Sequence, residues 1–179
     1  MMELKSMERF ADYWESICQI YFLTKHYLLL SEELSDDFDT FLQPVKEHRD
    51  AFDHIARVYG YEYLQSEIKN VEQYREQNMK KALGHVYRAF FDTADWLSYI
   101  YRREIRRKLQ GYSYDQIIRF YPNYKTLRED LIQFPKEIAL LRQNKDISDN
   151  AKEIIVEVQK YADILDKLWD YYKHINTLF

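Results

Sequence analysis

Apolar residues recur at steps of three and four along most of this chain, which is the spacing that places side chains on one face of an α-helix. It predicts helices over about residues 7–31, 43–59 and 124–143, a short helix over 114–120 and a last helix that begins near residue 148. The longest predicted helix spans about residues 68–109, and the positions that keep the spacing there are Met79, Leu83, Val86, Phe90, Thr93, Leu97 and Ile100.

Three other predicted helices have faces that we expect to be buried. In the first helix this face consists of Phe10, Trp14, Ile17, Tyr21, Thr24 and Leu28. In the second helix it consists of Val45, Phe52, Ile55 and Val58. The last helix carries a heptad seam, expected to pack lengthwise against one or two other helices, of Ile147, Ala151, Ile154, Val158, Tyr161, Leu165, Leu168, Tyr172 and Ile175.

Glycine and proline, which the turns of a β-sheet need, are scarce, since the 179 residues include only 3 of each. This excludes an all-β fold and argues against a doubly wound α/β fold. We therefore predict an all-α fold in which residues 1–179 form a single domain, a helical bundle of five to six helices with two long antiparallel helices. Gly84 is expected to bend the longest helix, and Pro135 to kink or break its own helix.

Charge and cysteine content narrow the class of protein further. The chain has 26 Lys and Arg against 30 Asp and Glu, a net charge of -4, so no overall basic charge indicates nucleic acid. The single cysteine, Cys18, excludes an intramolecular disulfide and a cysteine zinc site, and its apolar neighbours predict a small buried thiol. No apolar run approaches the ~18 residues that span a bilayer, and no secretion signal is readable. We therefore expect a cytoplasmic protein that does not enter a membrane.

The motifs of the common cofactor and metal enzymes are missing from the sequence. There is no glycine-rich phosphate loop, no GxSxG nucleophile elbow and no HExxH zinc motif. No ExxH pair suggests a di-metal site inside a bundle. We therefore predict neither a cofactor nor a metal site.

One short run on the second predicted helix carries chemistry: Arg49-Asp50-Ala51-Phe52-Asp53-His54. Arg49 offers a permanently charged fork that fits a phosphate, and His54 can take or give a proton near neutral pH. Asp50 lies four residues before His54, so its carboxylate can orient the imidazole. Those are the groups that RNA cleavage without a metal needs, because the 2′-hydroxyl must be activated and the leaving oxygen protonated.

The arginine and the histidine of this run lie about 140° apart around a helix, so one helix does not aim both at one atom. Two copies of the chain, related by a symmetric interface, could build a composite site. Glu47 and Asp53 flank the run and would repel a phosphate unless Lys46 or Arg57 pairs with them.

A second polar group on the long helix consists of His85, Arg88, Asp92 and Asp95. Their steps of three, four and three place them on one stripe. The simple interpretation is an ion pair between Arg88 and Asp92 on a solvated or half-buried face. Alternatively, His85 and Arg88 line the same groove as the motif and are candidate binding residues.

The end of the long helix carries a local positive patch of Arg102, Arg103, Arg106, Arg107 and Lys108. Cations there complement the carboxyl end of the helix dipole, which is the simple interpretation. The four arginines are also candidate binding residues for an RNA backbone, with Tyr101 or Tyr112 stacking on bases. The patch and the motif would support each other only if they faced the same groove.

The run from Arg49 to His54 resembles the R-[N/D/H]-x3-H signature of HEPN domains, the all-helical "higher eukaryote and prokaryote nucleotide-binding" superfamily. The family's fold is a bundle of four or five helices that is usually dimeric. Many members are metal-independent endoribonucleases of toxin–antitoxin, phage-defence and CRISPR systems, and others have lost the motif and act as binding modules. The resemblance implies that Arg49 and His54 are the catalytic pair and that Asp50 supports them.

Our leading hypothesis is therefore a HEPN-like domain that binds RNA and cleaves it without a metal, as part of a toxin–antitoxin or phage-defence type of system. The partners expected are RNA, a second copy of the chain, and an antitoxin or another defence protein. Two alternatives stay open. The chain could be a non-catalytic interaction module that binds a partner through its seam and its tyrosine-rich surface, or a nucleotide-binding module that uses the same polar cleft.

Overall fold

A computed structural model describes residues 10–35, 41–64, 67–144 and 151–179. These ranges contain no strand, which confirms the predicted all-α fold. A single 3₁₀ turn, Tyr61–Tyr63, follows the second helix. The α-helices of the described ranges are α1 (Ala11–Leu34), α2 (Leu42–Tyr59), α3 (Val71–Leu109), α4 (Tyr114–Phe120), α5 (Tyr124–Asn144) and α6 (Ala151–Leu178).

The helix ends follow from local chemistry. Pro44 lies in the first turn of α2, where its missing N–H costs no helical hydrogen bond. The Asn70 side chain caps α3 by accepting a hydrogen bond from the Gln73 backbone N–H at 3.1 Å. Ser113 and Gln116 form a reciprocal capping box at the start of α4. These polar residues satisfy amide groups that would otherwise lack partners.

Consecutive long helices run in opposite directions, as short connections require. His54 of α2 meets Asn78 of α3, whereas Glu47, nearer the start of α2, meets His85 further along α3, so these helices are antiparallel. In the same way α5 runs antiparallel to α6, because Asp130 pairs with Lys167, whereas Arg142 and Tyr161 meet at one carboxylate, that of Asp95. The long helices thus alternate in direction from α1 to α6.

The two longest helices, α3 and α6, run parallel, so the antiparallel arrangement predicted for them is wrong. Tyr161 of α6 donates to Asp95 of α3 at 2.6 Å, and further along both helices Trp169 packs against Tyr101. The reason is the intervening α5, since a chain that reverses twice returns to its first direction. The spacing of apolar residues is the same in either direction and does not encode it.

Helix α3 forms the centre of the core and packs against α1, α2 and α6. Its predicted apolar face is buried in full, which confirms it. The heptad seam of α6 is also buried at its described positions apart from a half-buried Tyr172. Ile147 and the side chain of Ala151, the first two seam positions, lie outside what is described.

The core face of α1 is displaced from the predicted one. Ile17, Ile20, Thr24 and Tyr27 are buried, whereas Tyr21 is exposed. The reason is that α1 contacts α2 as well, and Tyr21 lies at that contact, where its ring packs against His48. Cys18 is exposed, so the prediction of a buried thiol is wrong.

Helix α2 also turns a different face inward. Val58 is buried and Ile55 half-buried, as predicted, but Val45 and Phe52 are exposed, and Phe52 is 69% accessible. The stripe that packs on α3 instead contains Pro44 and Ala51 and, between them, polar side chains. An apolar stripe is therefore left on the outside of α2.

Helices α3 and α5 both run on through the residues that were expected to bend, kink or break them, so the break considered at Pro135 does not occur. Helix α3 continues through Gly84, and α5 continues through Pro135. None of the helices in the described ranges combines the length and apolarity needed to cross a membrane.

Candidate functional site

Polar side chains from two helices meet in the groove between α2 and α3. Glu47 and His54 come from α2, and Asn78, His85 and Arg88 come from α3. The antiparallel packing of the two helices brings these five residues together, and we call them the histidine cluster. Residues 47 and 54 are separated by seven positions, as are 78 and 85, so each pair lies on one side of its own helix.

His54 is held in one tautomer by the buried Asn78. The Asn78 Nδ2 donates to the Tyr74 carbonyl oxygen at 2.8 Å, so its Oδ1 must be the atom that faces His54. That oxygen lies 2.8 Å from His54 Nδ1 and can only accept, so Nδ1 carries a proton. In the neutral ring the lone pair therefore lies on Nε2, the nitrogen that can act as a base.

The rings of His54 and His85 stack with their centroids 5.2 Å apart and an angle of 24° between their planes. Both side chains are half-buried, so water and a ligand can reach their edges. Two imidazoles at this separation can act on two oxygen atoms of one substrate. One can accept a proton while the other donates one.

Glu47 connects His85 to Arg88. Its Oε2 lies 2.8 Å from His85 Nδ1 and accepts from Arg88 Nε at 3.1 Å. Burial raises the pKa of Glu47, but the hydrogen bonds and charges of His85 and Arg88 outweigh it and hold the pKa below its usual value. The His85 Nδ1 also lies 2.7 Å from Arg88 Nη2. Because one nitrogen either donates to the carboxylate or accepts from the guanidinium, His85 can exist as either tautomer.

Arg49 and Asp50 lie at the edge of the cluster. Arg49 donates to Asp50 Oδ1 through Nε at 3.0 Å and through Nη2 at 2.7 Å, and the side chains are 74% and 40% accessible. The hydrogen bond from Arg49 is the main reason that the pKa of Asp50 lies below its usual value, and His85 and His54 lower it further. Asp50 therefore lies within electrostatic reach of both imidazoles, whereas the Arg49 guanidinium points into solvent.

The structure thus brings together four of the candidate residues, His54, His85, Arg88 and, at the edge, Asp50. Arg49 lies on the outer side of α2, as expected from its angle of about 140° to His54. The residues of the second polar stripe do not all face the α2–α3 groove, because the Asp95 carboxylate contacts Arg142 of α5 and Tyr161 of α6.

Two members of the cluster were not among the sequence candidates. Glu47 was expected to pair with Lys46 or to repel a phosphate, but it pairs across the groove with His85 and Arg88. Asn78 had no motif to mark it, and only its position one heptad before His85 could have indicated it. The other acidic neighbour, Asp53, pairs with Arg57 at 2.7 Å as the sequence suggested.

His48 is not part of the histidine cluster. Its ring packs against Tyr21 at 5.0 Å, on the side of α2 that faces α1. Burial lowers its pKa and outweighs the opposing effect of Glu47, so folding favours the neutral ring. This histidine is a packing residue.

The basic patch at the end of α3 does not share the groove of the histidine cluster. Arg102 lies seventeen residues beyond His85, about 26 Å along the helix. The four arginines predicted to bind RNA instead line a separate pocket against α5. The basic patch and the Arg49–His54 motif therefore lie in different grooves and do not support each other as one RNA-binding site.

In the described ranges, no group of three or more His, Cys, Asp or Glu side chains is arranged to hold a metal ion. A scan against protein-family models and searches of curated proteins and of solved structures found no match to the chain. The geometry of the α2–α3 groove is therefore what supports a functional proposal.

Proposed function

We propose that this chain binds RNA at the α2–α3 groove and cleaves it without a metal ion. The observation that carries the proposal is the stacked pair His54 and His85, with one ring fixed in its tautomer by Asn78 and the other joined to Glu47. If the cluster only held the two helices together by ion pairs, it would need neither a second imidazole nor a histidine nitrogen that can act as a base. Proton transfer needs both.

In the proposed reaction, Nε2 of His54 takes the proton of a ribose 2′-hydroxyl. The 2′-oxygen forms a bond to the adjacent phosphorus, and the bond from phosphorus to the 5′-oxygen of the next nucleotide breaks. The protonated ring of His85 donates a proton to that 5′-oxygen. The products are a 2′,3′-cyclic phosphate and a 5′-hydroxyl, with no other reactant consumed.

Arg49 supplies the phosphate clamp in this proposal. Its pair with Asp50 is exposed, and exposed pairs are weak because water screens them, so a phosphate can displace the carboxylate at little cost. Arg88 is held by Glu47 beside His85 and adds positive charge inside the groove. Asp50 would then hold its position next to the two imidazoles.

The proposal includes a second copy of the chain. Leu42, Val45 and Phe52 form an exposed apolar stripe on the outer side of α2, with Arg49 between Val45 and Phe52. Packing this stripe against its symmetric equivalent would cover it and place the two Arg49 side chains between the protomers. An arginine on the outer side of α2 could then serve the groove of the other copy.

The test of cleavage uses a labelled single-stranded RNA in EDTA with the wild type, His54→Ala and His85→Ala. We expect wild-type cleavage that leaves 2′,3′-cyclic phosphate ends, and a loss of about 100-fold or more in each variant. His174→Ala, which changes an exposed histidine of α6, is the matched control and should keep full activity. Absence of wild-type cleavage, or its survival in His54→Ala, would contradict the proposal.

Arg49 and the second copy are tested separately. Arg49→Ala should lower cleavage by about tenfold or more, whereas Arg119→Ala, an exposed arginine of α4, should not. Phe52→Glu should convert a dimer to a monomer in sedimentation and lower cleavage. Ile132→Glu on α5, where the residue is 63% accessible, should do neither. A monomeric wild type would refute the composite site.

The exposed stripe also supports one alternative, a non-catalytic module that binds another protein. The two functions predict different outcomes in cells. A toxin or defence ribonuclease should slow growth on over-expression, and His54→Ala should relieve this. An interaction module should lose its partner in Phe52→Glu and be indifferent to His54→Ala.

A further inference from the structure

A second pocket, with a volume of about 760 Å³, lies between the last turns of α3 and the first half of α5. Its floor is apolar, because Ile105 and Leu127 are fully buried beneath it, and Tyr99 and Tyr124 stand at its sides. The remaining walls carry five guanidinium groups, those of Arg102, Arg103, Arg106, Arg107 and Arg128.

These guanidinium groups outnumber the acidic side chains that pair with them in the described part of the chain. Arg103 and Arg107 share one buried carboxylate, Glu104, at 3.0 Å and 2.6 Å. No described acidic side chain forms an ion pair with Arg106 or Arg128. The pocket therefore carries five arginines, against the Glu104 carboxylate that Arg103 and Arg107 share and the Asp95 carboxylate, whose charge acts on Arg102.

Helix capping explains only part of this arrangement. Arginines in the last turns of α3 complement its dipole, but Arg128 lies near the amino end of α5, where a cation opposes the dipole. Arg102 is half-buried, and burial together with the charge of Arg106 lowers its pKa against the opposing effects of Tyr161 and Asp95. A cluster of this kind costs folding free energy without a ligand, and an anion that entered the pocket would offset that cost.

The shape and lining of the pocket indicate the class of ligand. Pockets of about 300–1,000 Å³ are typical for small molecules. Arginine forks bind phosphate groups in two-point contacts. The apolar floor and the two tyrosines suit an aromatic ring beside those phosphates. We infer that this pocket binds a small molecule that carries two or three phosphate groups and an aromatic part, the chemistry of a nucleoside polyphosphate.

This site is independent of the proposed ribonuclease site. It lies about 26 Å along α3 from His85 and against α5 rather than α2. The inference therefore does not rest on cleavage, and either can fail alone.

The experiment measures binding by calorimetry in three separate arms: ATP, inorganic tripolyphosphate, and an eight-nucleotide single-stranded RNA. ATP should bind about tenfold more tightly than tripolyphosphate, because stacking of the base adds to the phosphate contacts. Arg106→Gln and Arg128→Gln should each weaken ATP binding by about tenfold. Arg119→Gln, an exposed arginine outside the pocket, should bind ATP like the wild type.

A melting curve without ligand gives a second measurement. Removal of an unpaired like charge should leave the melting temperature of Arg106→Gln and Arg128→Gln unchanged or raise it, so that weaker binding cannot result from misfolding. The inference is overturned if neither ATP nor tripolyphosphate binds, or if both variants bind ATP like the wild type. Equal affinity for ATP and tripolyphosphate would refute the aromatic part, and tighter binding of the RNA would mean a polynucleotide surface instead.

Discussion

Glu47→Gln tests whether a charged carboxylate holds the histidine cluster together. The Glu47 side chain is only 13% accessible, and its Oε2 contacts both His85 and Arg88. Glutamine keeps the shape and one accepting oxygen but removes the charge, which leaves Arg88 without its counterion. Hydrogen bonds to charged groups contribute about 1.5–3 kcal/mol, so we expect a loss of about 2–3 kcal/mol and a melting temperature lower by about 4–12 °C.

The loss should depend on pH in a defined direction. Burial raises the pKa of Glu47, but His85 and Arg88 bring it below the ordinary value of 4.5. A carboxyl with a lowered folded pKa stabilises the fold above the unfolded pKa and loses this contribution as the pH falls through the folded pKa. The difference between the wild type and Glu47→Gln should therefore be full at pH 7 and shrink progressively below pH 4.5.

Urea denaturation at a series of pH values measures both effects. Glu129→Gln is the matched control, because Glu129 is 65% accessible and faces only Lys125 at 3.9 Å. Glu129→Gln should change the free energy of unfolding by less than about 0.5 kcal/mol at any pH. A Glu47→Gln loss as small as that of the control, or one that does not shrink in acid, would refute the role given to the carboxylate.

Four further predictions concern the stability of the bundle itself. Gly111 has φ 102°, so Gly111→Ala should lower the free energy of unfolding by about 1–2 kcal/mol in the same urea assay. Gly84 lies inside α3, and a Cβ there would meet only the Arg88 side chain, at an ordinary contact distance, so Gly84→Ala should raise the free energy of unfolding by up to about 1 kcal/mol. Leu97→Ala, at a fully buried position, should cost about 2–5 kcal/mol, measured by chemical denaturation. Tyr161→Phe, which removes the 2.6 Å bond to Asp95, should lower the stability by about 1 kcal/mol.

Helix positions and the core of α3 could be predicted from the sequence because both follow from one geometric constant. At 100° per residue, only steps of three and four keep side chains on one face, and Leu83, Phe90 and Leu97 satisfy this over four turns. The helix ends also have local causes, since Gly60 follows α2 and Ser113 caps α4. These signals are local, and local geometry is what a single sequence encodes most directly.

The direction of α6 and most of the histidine cluster depend on contacts between helices, which no spacing within one helix contains. Periodicity is unchanged when a helix is reversed, so it could not show that α3 and α6 run parallel. Likewise Asn78 and Glu47 join His54 and His85 only because α2 crosses α3 at one particular register. The i,i+4 relation of Asp50 and His54 was visible, but the partners that hold the imidazoles were not.

Two residues of α2 that were predicted to face inward lie outward, and the proposed composite site depends on them. Val45 and Phe52 have the spacing of core residues and yet are exposed, on either side of Arg49. A stripe of core-like residues that no helix of the described ranges covers is typical of an interface that a partner completes. The disagreement between pattern and structure therefore has a physical explanation in the proposed pairing of α2 with a second copy. The response of the oligomeric state to Phe52→Glu decides whether that explanation is correct.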